Sequence, residues 1–152
     1  MKNKKTLILI ISIIIPLLVG FLGNLLGNPS MGFELIKKPS FMPPKVLFPI
    51  IWTILYIIMG ISSYIVYKKG NKNNALQVYI LQLIFNMLWT YFFFNIKAYL
   101  FSFIWIIILI VLVIIMIIKF VKINKTAGYL QIPYLLWLAF ASILNFSIFL
   151  LN

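Results

Sequence analysis

Chemistry has few places to reside in this chain. There is no Cys and no His, and the single acidic residue is Glu34. A carboxylate dyad, a Ser-His-Asp triad, a thiolate nucleophile and a His/Asp metal cluster are therefore excluded, and no catalytic or metal-ligating residue is assigned. What remains is a set of aromatic and amide side chains embedded in apolar sequence. Phe48, Trp52, Tyr56 and Gly60 recur at intervals of four; Gln82, Asn86, Trp89 and Phe93 at four, three and four; Pro133, Trp137, Ala141 and Asn145 at four. On a helix, each set shares one face.

Such faces bind rather than react. Aromatic rings stack on a flat ligand and amides fix its orientation, so a cavity walled by them and free of buried charge suits a large aromatic or amphipathic molecule. Asn86 and Asn145 in mid-span are costly facing lipid and are expected to point inward. There they either touch a ligand or join helices, and spacing alone leaves both open. A proline-rich segment, Asn28 to Lys45, adds Phe33 and Phe41 together with Pro29, Pro39, Pro43 and Pro44. Residues before proline are pushed out of the helical region, so this segment is expected to be a long loop, placed to act as a lid. Lys37, Lys38 and Lys45 within it are positioned to meet ligand carboxylates.

The elements that carry these faces follow from composition. Of 152 residues, 64% are hydrophobic and 9% charged, against about 25% charged in soluble domains. A spanning helix needs about 20 apolar residues. The apolar runs therefore predict an all-α membrane protein, a five-transmembrane-helix bundle with a long loop between helices 1 and 2. The spans fall at about 6–26, 46–67, 75–95, 98–120 and 129–151, and residues 1–152 form one domain. The first span is longer than a signal h-region and no cleavage pattern follows, so it reads as retained. It holds Pro16, Gly20, Gly23 and Gly27, and the Gly23/Gly27 pair suits either packing within the chain or a dimer face. Apart from Ser102 and Trp105 the fourth span is almost uniformly aliphatic, which makes it the expected lipid-exposed helix.

The formal net charge of +12 comes from thirteen basic residues, all of them Lys. They cluster between apolar runs, as interfacial anchors do, so no nucleic-acid partner is expected. Lys2, Lys4, Lys5, Lys68, Lys69, Lys72, Lys119, Lys122 and Lys125 fall on one side, and Lys37, Lys38, Lys45 and Lys97 on the other. The positive-inside bias then predicts a cytoplasmic N-terminus and an external long loop. The absence of Arg beside abundant Ile, Asn and Lys suggests an AT-rich bacterial genome, hence a bacterial cytoplasmic membrane.

Several strings of residues resemble those of the TspO/MBR family, also called translocator proteins, tryptophan-rich sensory proteins or peripheral benzodiazepine receptors. They are Lys38-Pro39-Ser40-Phe41-Met42-Pro43-Pro44 with Phe48, Trp52, Leu55-Tyr56 and Met59-Gly60; then Gln82-Leu83 with Asn86 and Trp89; and Pro133-Tyr134, Trp137, Phe140-Ala141 and Leu144-Asn145. Pro16 and Gly20 match the first helix, so the resemblance covers nearly the whole chain. It implies a five-helix bundle, often a homodimer, that binds porphyrin or haem as ligand and requires no cofactor. It places the pocket at Trp52, Asn86, Trp89, Trp137 and Ala141, with Phe33, Pro43 and Pro44 as lid. Together with the residue reading, the expected ligand-binding set is Phe33, Phe41, Pro43, Pro44, Phe48, Trp52, Asn86, Trp89, Trp137, Ala141 and Asn145.

The resemblance also admits light-dependent porphyrin breakdown, an alternative to pure binding, as is a small transporter or accessory bundle with no tetrapyrrole ligand. This chain departs from the family pattern in having Gly32-Phe33 for Trp-Tyr and Phe41 for Trp, which weakens tryptophan photochemistry more than binding. The end of the fifth helix, Phe149-Leu150-Leu151-Asn152, lacks the proposed cholesterol motif.

Overall fold

A computed structural model of the chain describes residues 1–29, 33–71 and 73–152. Lys72 of the lysine count and Gly32 of the loop comparison lie outside the described residues. All regular structure among them is helical: α1 Lys2–Gly27, α2 Leu47–Lys69, α3 Ala75–Thr90, α4 Tyr99–Ile123, α5 Lys125–Tyr129 and α6 Ile132–Leu151. α3 continues through a π-helical turn, Tyr91–Asn95, and α5 with α6 makes one membrane-length unit. Five segments are thus long and apolar enough to cross a bilayer. The described residues between α1 and α2 form turns and bends.

Glycines set how closely the first two helices approach. A Cβ at Gly60 would lie 2.5 Å from the Ile13 Cα and 2.6 Å from the Ser12 carbonyl oxygen, so α1 and α2 touch backbone to backbone. In lipid there is little hydrophobic drive between helices, and such close packing supplies the attraction instead. Gly27 does the same for α3, since its Cβ would meet the Thr90 Cγ2 at 2.5 Å. Gly23 faces Met87 and Thr90 at looser distances. The Gly23/Gly27 pair therefore serves packing within the chain.

The expectation that the fourth span is the most lipid-exposed is corrected. α4 buries Ser102, Ile106, Leu109, Val113, Met116, Ile117 and Phe120, a stripe at helical spacing. α1 buries only Pro16, Gly23 and Gly27. Lipid tails are as apolar as Leu, so uniform hydrophobicity does not tell a lipid face from a helix interface.

The fifth span also starts differently. Asn124 caps α5, its Oδ1 accepting from the Ala127 N–H at 3.0 Å, and Gly128 lets this turn lie against Val121 of α4. The chain then breaks at Leu130 and Gln131, and Pro133 falls in the first turn of α6. There proline's missing N–H costs no helical bond.

Candidate functional site

A cavity of about 600 Å³ opens in the half of the bundle where α1, α3 and α6 end and α2 begins. That volume lies within the range of about 300–1,000 Å³ usual for small-molecule sites. Phe33, Phe48, Trp52, Asn86, Trp89, Trp137, Ala141 and Asn145 line it. Phe41, Pro43 and Pro44 are not among its lining residues, and Phe41 is half exposed. From the same segment, Pro29, Met42 and Lys45 take part instead.

The aromatic side chains form a connected wall. Trp52 stacks on Tyr56 at 5.5 Å between ring centroids and meets Trp137 edge-on at 6.5 Å. Phe48 meets Trp137 at 5.8 Å, and Trp89 stacks on Phe93 at 5.3 Å. Phe33 closes the mouth between Phe48 and Phe94, at 6.1 and 6.3 Å. Lys45 is the one charged side chain among the described lining residues. Its Nζ and that of Lys38 lie 5.6 and 4.5 Å from the Phe33 ring centre, within cation–π reach.

Below this wall the polar groups are linked in a directed chain. The Tyr56 hydroxyl donates to the Asn86 Oδ1 at 2.8 Å, the Asn86 Nδ2 to the Tyr134 hydroxyl at 2.9 Å, and that hydroxyl to the Gln82 Oε1 at 2.6 Å. Gln82 is fully buried. Asn86 is thus both a lining residue and the joint between α2, α3 and α6. Asn145 is similarly engaged, accepting from the Trp89 indole N–H at 3.0 Å and donating to the Tyr99 carbonyl at 2.8 Å. The Trp137 indole N–H is buried without a hydrogen-bond partner among the described residues. A buried donor left unpaired costs about 1–3 kcal/mol.

Replacing Asn86 by Ala removes the acceptor of Tyr56 and the donor to Tyr134 together. The expected result is a loss of about 1–3 kcal/mol of stability, read as a lower midpoint in detergent unfolding. An unchanged midpoint would mean that the chain of bonds is not structural.

Two further lining residues had partial signals in the sequence. Asn24 is a lone amide near the end of an apolar run, and Gly20 leaves room into which the Tyr56 ring fits. Phe94 had none. It reaches the cavity beside Phe93 from the π-helical turn, where the Ile96 N–H bonds to the Tyr91 carbonyl five residues back. Such turns inside α-helices are frequent at functional sites.

The sequence that builds this cavity has relatives. The model of the TspO/MBR family matches residues 12–151. The chain belongs to the TspO/MBR family. It is similar to the tryptophan-rich protein TspO of Chlorobaculum tepidum, 36% identical over 99% of both chains. It is also similar to that of Archaeoglobus fulgidus, 37% identical over 95% of this chain and 96% of the relative. The translocator protein of Sus scrofa is 31% identical over 89% of this chain and 84% of its own. This TspO/MBR protein is therefore an integral membrane protein whose spans meet the lipid bilayer.

Proposed function

We propose that this TspO/MBR protein binds a tetrapyrrole of the protoporphyrin or haem type in the cavity, and serves in tetrapyrrole sensing, transport or disposal. The observation that carries the reading is the cavity walled by Trp52, Trp89 and Trp137, with Lys45 as the one charged side chain among its described lining residues. A planar macrocycle offers ring faces to these indoles. Its carboxylates would stay at the mouth, near Lys45 and Lys38, because the interior holds nothing to neutralise them. One relative is the tryptophan-rich sensory protein of Cereibacter sphaeroides, a name in keeping with a sensing role.

The lysine asymmetry supports a cytoplasmic N-terminus. The cavity mouth, at the far end of α1, then opens on the external side of a bacterial cytoplasmic membrane. The test is a fluorescence titration of the purified protein with protoporphyrin IX and with its dimethyl ester. Lys45→Gln should weaken the free acid about two- to fivefold, as befits a partly solvated ion pair worth about 0.4–1 kcal/mol, and leave the ester unchanged. Equal weakening of both would remove the carboxylate from the reading.

A further inference from the structure

A second groove, of about 360 Å³, opens on the lipid-facing side of the bundle at the end opposite the cavity mouth. Ile8, Ile11 and Ile15 of α1 form one wall, Ile80 of α3 the other, and the buried Ser63 of α2 lies at the bottom. Glycines explain its position. α1 approaches α3 at Gly23 and Gly27, which face Met87 and Thr90, but nearer its start it rests on α2 instead, where Gly60 faces Ser12 and Ile13. α1 and α3 are thus joined at one end and apart at the other. The two serines that line the groove are spent on their own helices, Ser12 donating to the Ile8 carbonyl at 2.8 Å and Ser63 to the Gly60 carbonyl at 2.9 Å. The Tyr79 hydroxyl lies buried. What the groove offers is an apolar surface.

Charge gathers at its rim. Lys4, Ile8, Ile11 and Ile15 are spaced by four, three and four, so Lys4 continues the groove wall towards the membrane surface. Lys5 stands seven residues before Ser12, on the same side of α1, and both lysines are exposed. Lys2, Lys68, Lys69, Lys119, Lys122 and Lys125 belong to this end of the bundle too, while the one acidic residue, Glu34, belongs to the segment at the other end. No acidic side chain is therefore at hand to pair with Lys4 and Lys5. From Ile8 to Ile15 α1 rises about 10 Å, inside the roughly 15 Å of hydrocarbon in one leaflet. The groove thus belongs to a single leaflet, an apolar slot with cations above it.

We propose that this groove is a binding site for one anionic phospholipid of the leaflet on the N-terminal side, with an acyl chain between α1 and α3 and the phosphate at Lys4 and Lys5. The proposal is independent of the tetrapyrrole reading. A second copy of the chain suits the groove less well. Symmetric pairing on this face would set Lys4 and Lys5 of one chain against those of the other, with no acid to neutralise them. An anionic headgroup brings the opposite charge, and its acyl chains already surround this surface.

The test is native mass spectrometry of the full-length protein in detergent, titrated with dioleoyl phosphatidylglycerol and separately with dioleoyl phosphatidylcholine. Phosphatidylglycerol should fill one site per chain first and more tightly than phosphatidylcholine. Each basic residue near an anionic headgroup contributes about fivefold, so Lys4→Gln/Lys5→Gln should weaken phosphatidylglycerol about five- to thirtyfold and leave phosphatidylcholine within about twofold. Lys122→Gln/Lys125→Gln removes the same charge from the same end away from the groove, and should change neither lipid. Ile11→Trp, at a half-exposed position, fills the slot and should remove the first site for both lipids.

Equal weakening by the two Gln pairs would reduce the effect to diffuse charge and overturn the site, as would equal affinity of the native protein for the two lipids. A first site that survives Ile11→Trp would place the lipid elsewhere. Dimers that Ile11→Trp converts to monomers, with lipid binding unchanged, would give the groove to a second copy. The four lysines are exposed, so the Gln pairs decide the proposal even where Ile11→Trp fails to fold.

Discussion

Gly60→Leu is expected to leave no stable bundle. A Cβ at this position already falls 2.5 Å from the Ile13 Cα and 2.6 Å from the Ser12 carbonyl oxygen. Both are backbone atoms of a helix and cannot rotate aside, so α1 must move away from α2. Overpacking by a few methylenes usually costs about 1–3 kcal/mol. Here the intrusion is against main chain, and leucine adds a branched side chain to it. Moving α1 also withdraws Gly20 from the Tyr56 ring and opens the wall formed by Leu17, Gly20 and Asn24.

Gly60→Ala should therefore lower the detergent melting midpoint by the equivalent of about 1–3 kcal/mol, and Gly60→Leu should abolish recovery of monodisperse protein. Gly23→Ala is the internal control. Its Cβ would meet nothing nearer than the Met87 Cα and Thr90 Oγ1 at 3.6 Å, an ordinary contact, so it should be close to neutral. Equal losses for Gly60→Ala and Gly23→Ala would contradict the packing described for α1.

The largest effect on binding is expected for Trp137→Leu. Trp137 joins Phe48 and Trp52 in the wall and carries the buried, unpartnered indole N–H. Leucine removes an aromatic contact worth about 0.5–1.5 kcal/mol. Affinity for protoporphyrin IX should fall by about 2- to 12-fold, the range that corresponds to about 0.5–1.5 kcal/mol. Trp105→Leu removes the same mass elsewhere. Trp105 stacks on Phe85 at 4.3 Å and its N–H is bound to the Phe85 carbonyl at 2.8 Å, away from the cavity. It should cost stability and change affinity less than twofold. Equal effects of the two substitutions would remove the cavity from the account.

How far the sequence foretells this structure depends on what kind of signal each residue leaves. The spans were legible because a helix in lipid must satisfy its own backbone, which forces long apolar runs between lysines. The faces bearing Trp52, Asn86, Trp89, Trp137 and Asn145 were legible because a polar or amphipathic residue in such a run needs a reason to be there. The inward stripe of α4 was not, because Ile106, Leu109 and Val113 are equally at home against lipid and against another helix.

Irregular backbone hid the rest. The loop has no period from which direction can be read, so nothing separates Met42 inside the cavity from Phe41, Pro43 and Pro44 outside its lining. Phe94 enters through a π-helical turn that shifts the register of the last turn of α3. The break at Leu130 and Gln131 depends on Asn124 and Gly128 folding a short helix back on α4. Pro133 marked only the first turn of the helix that follows.

The central claim is that one chain holds one tetrapyrrole in this cavity. The direct measurement is an absorbance titration of the purified protein with protoporphyrin IX, set against the same detergent micelles without protein. The account predicts a saturable spectral shift with one porphyrin per chain, absent from empty micelles and moved to higher concentrations in Trp137→Leu. A non-saturating shift equal to that of empty micelles, or a saturable one indifferent to Trp137→Leu, would contradict it.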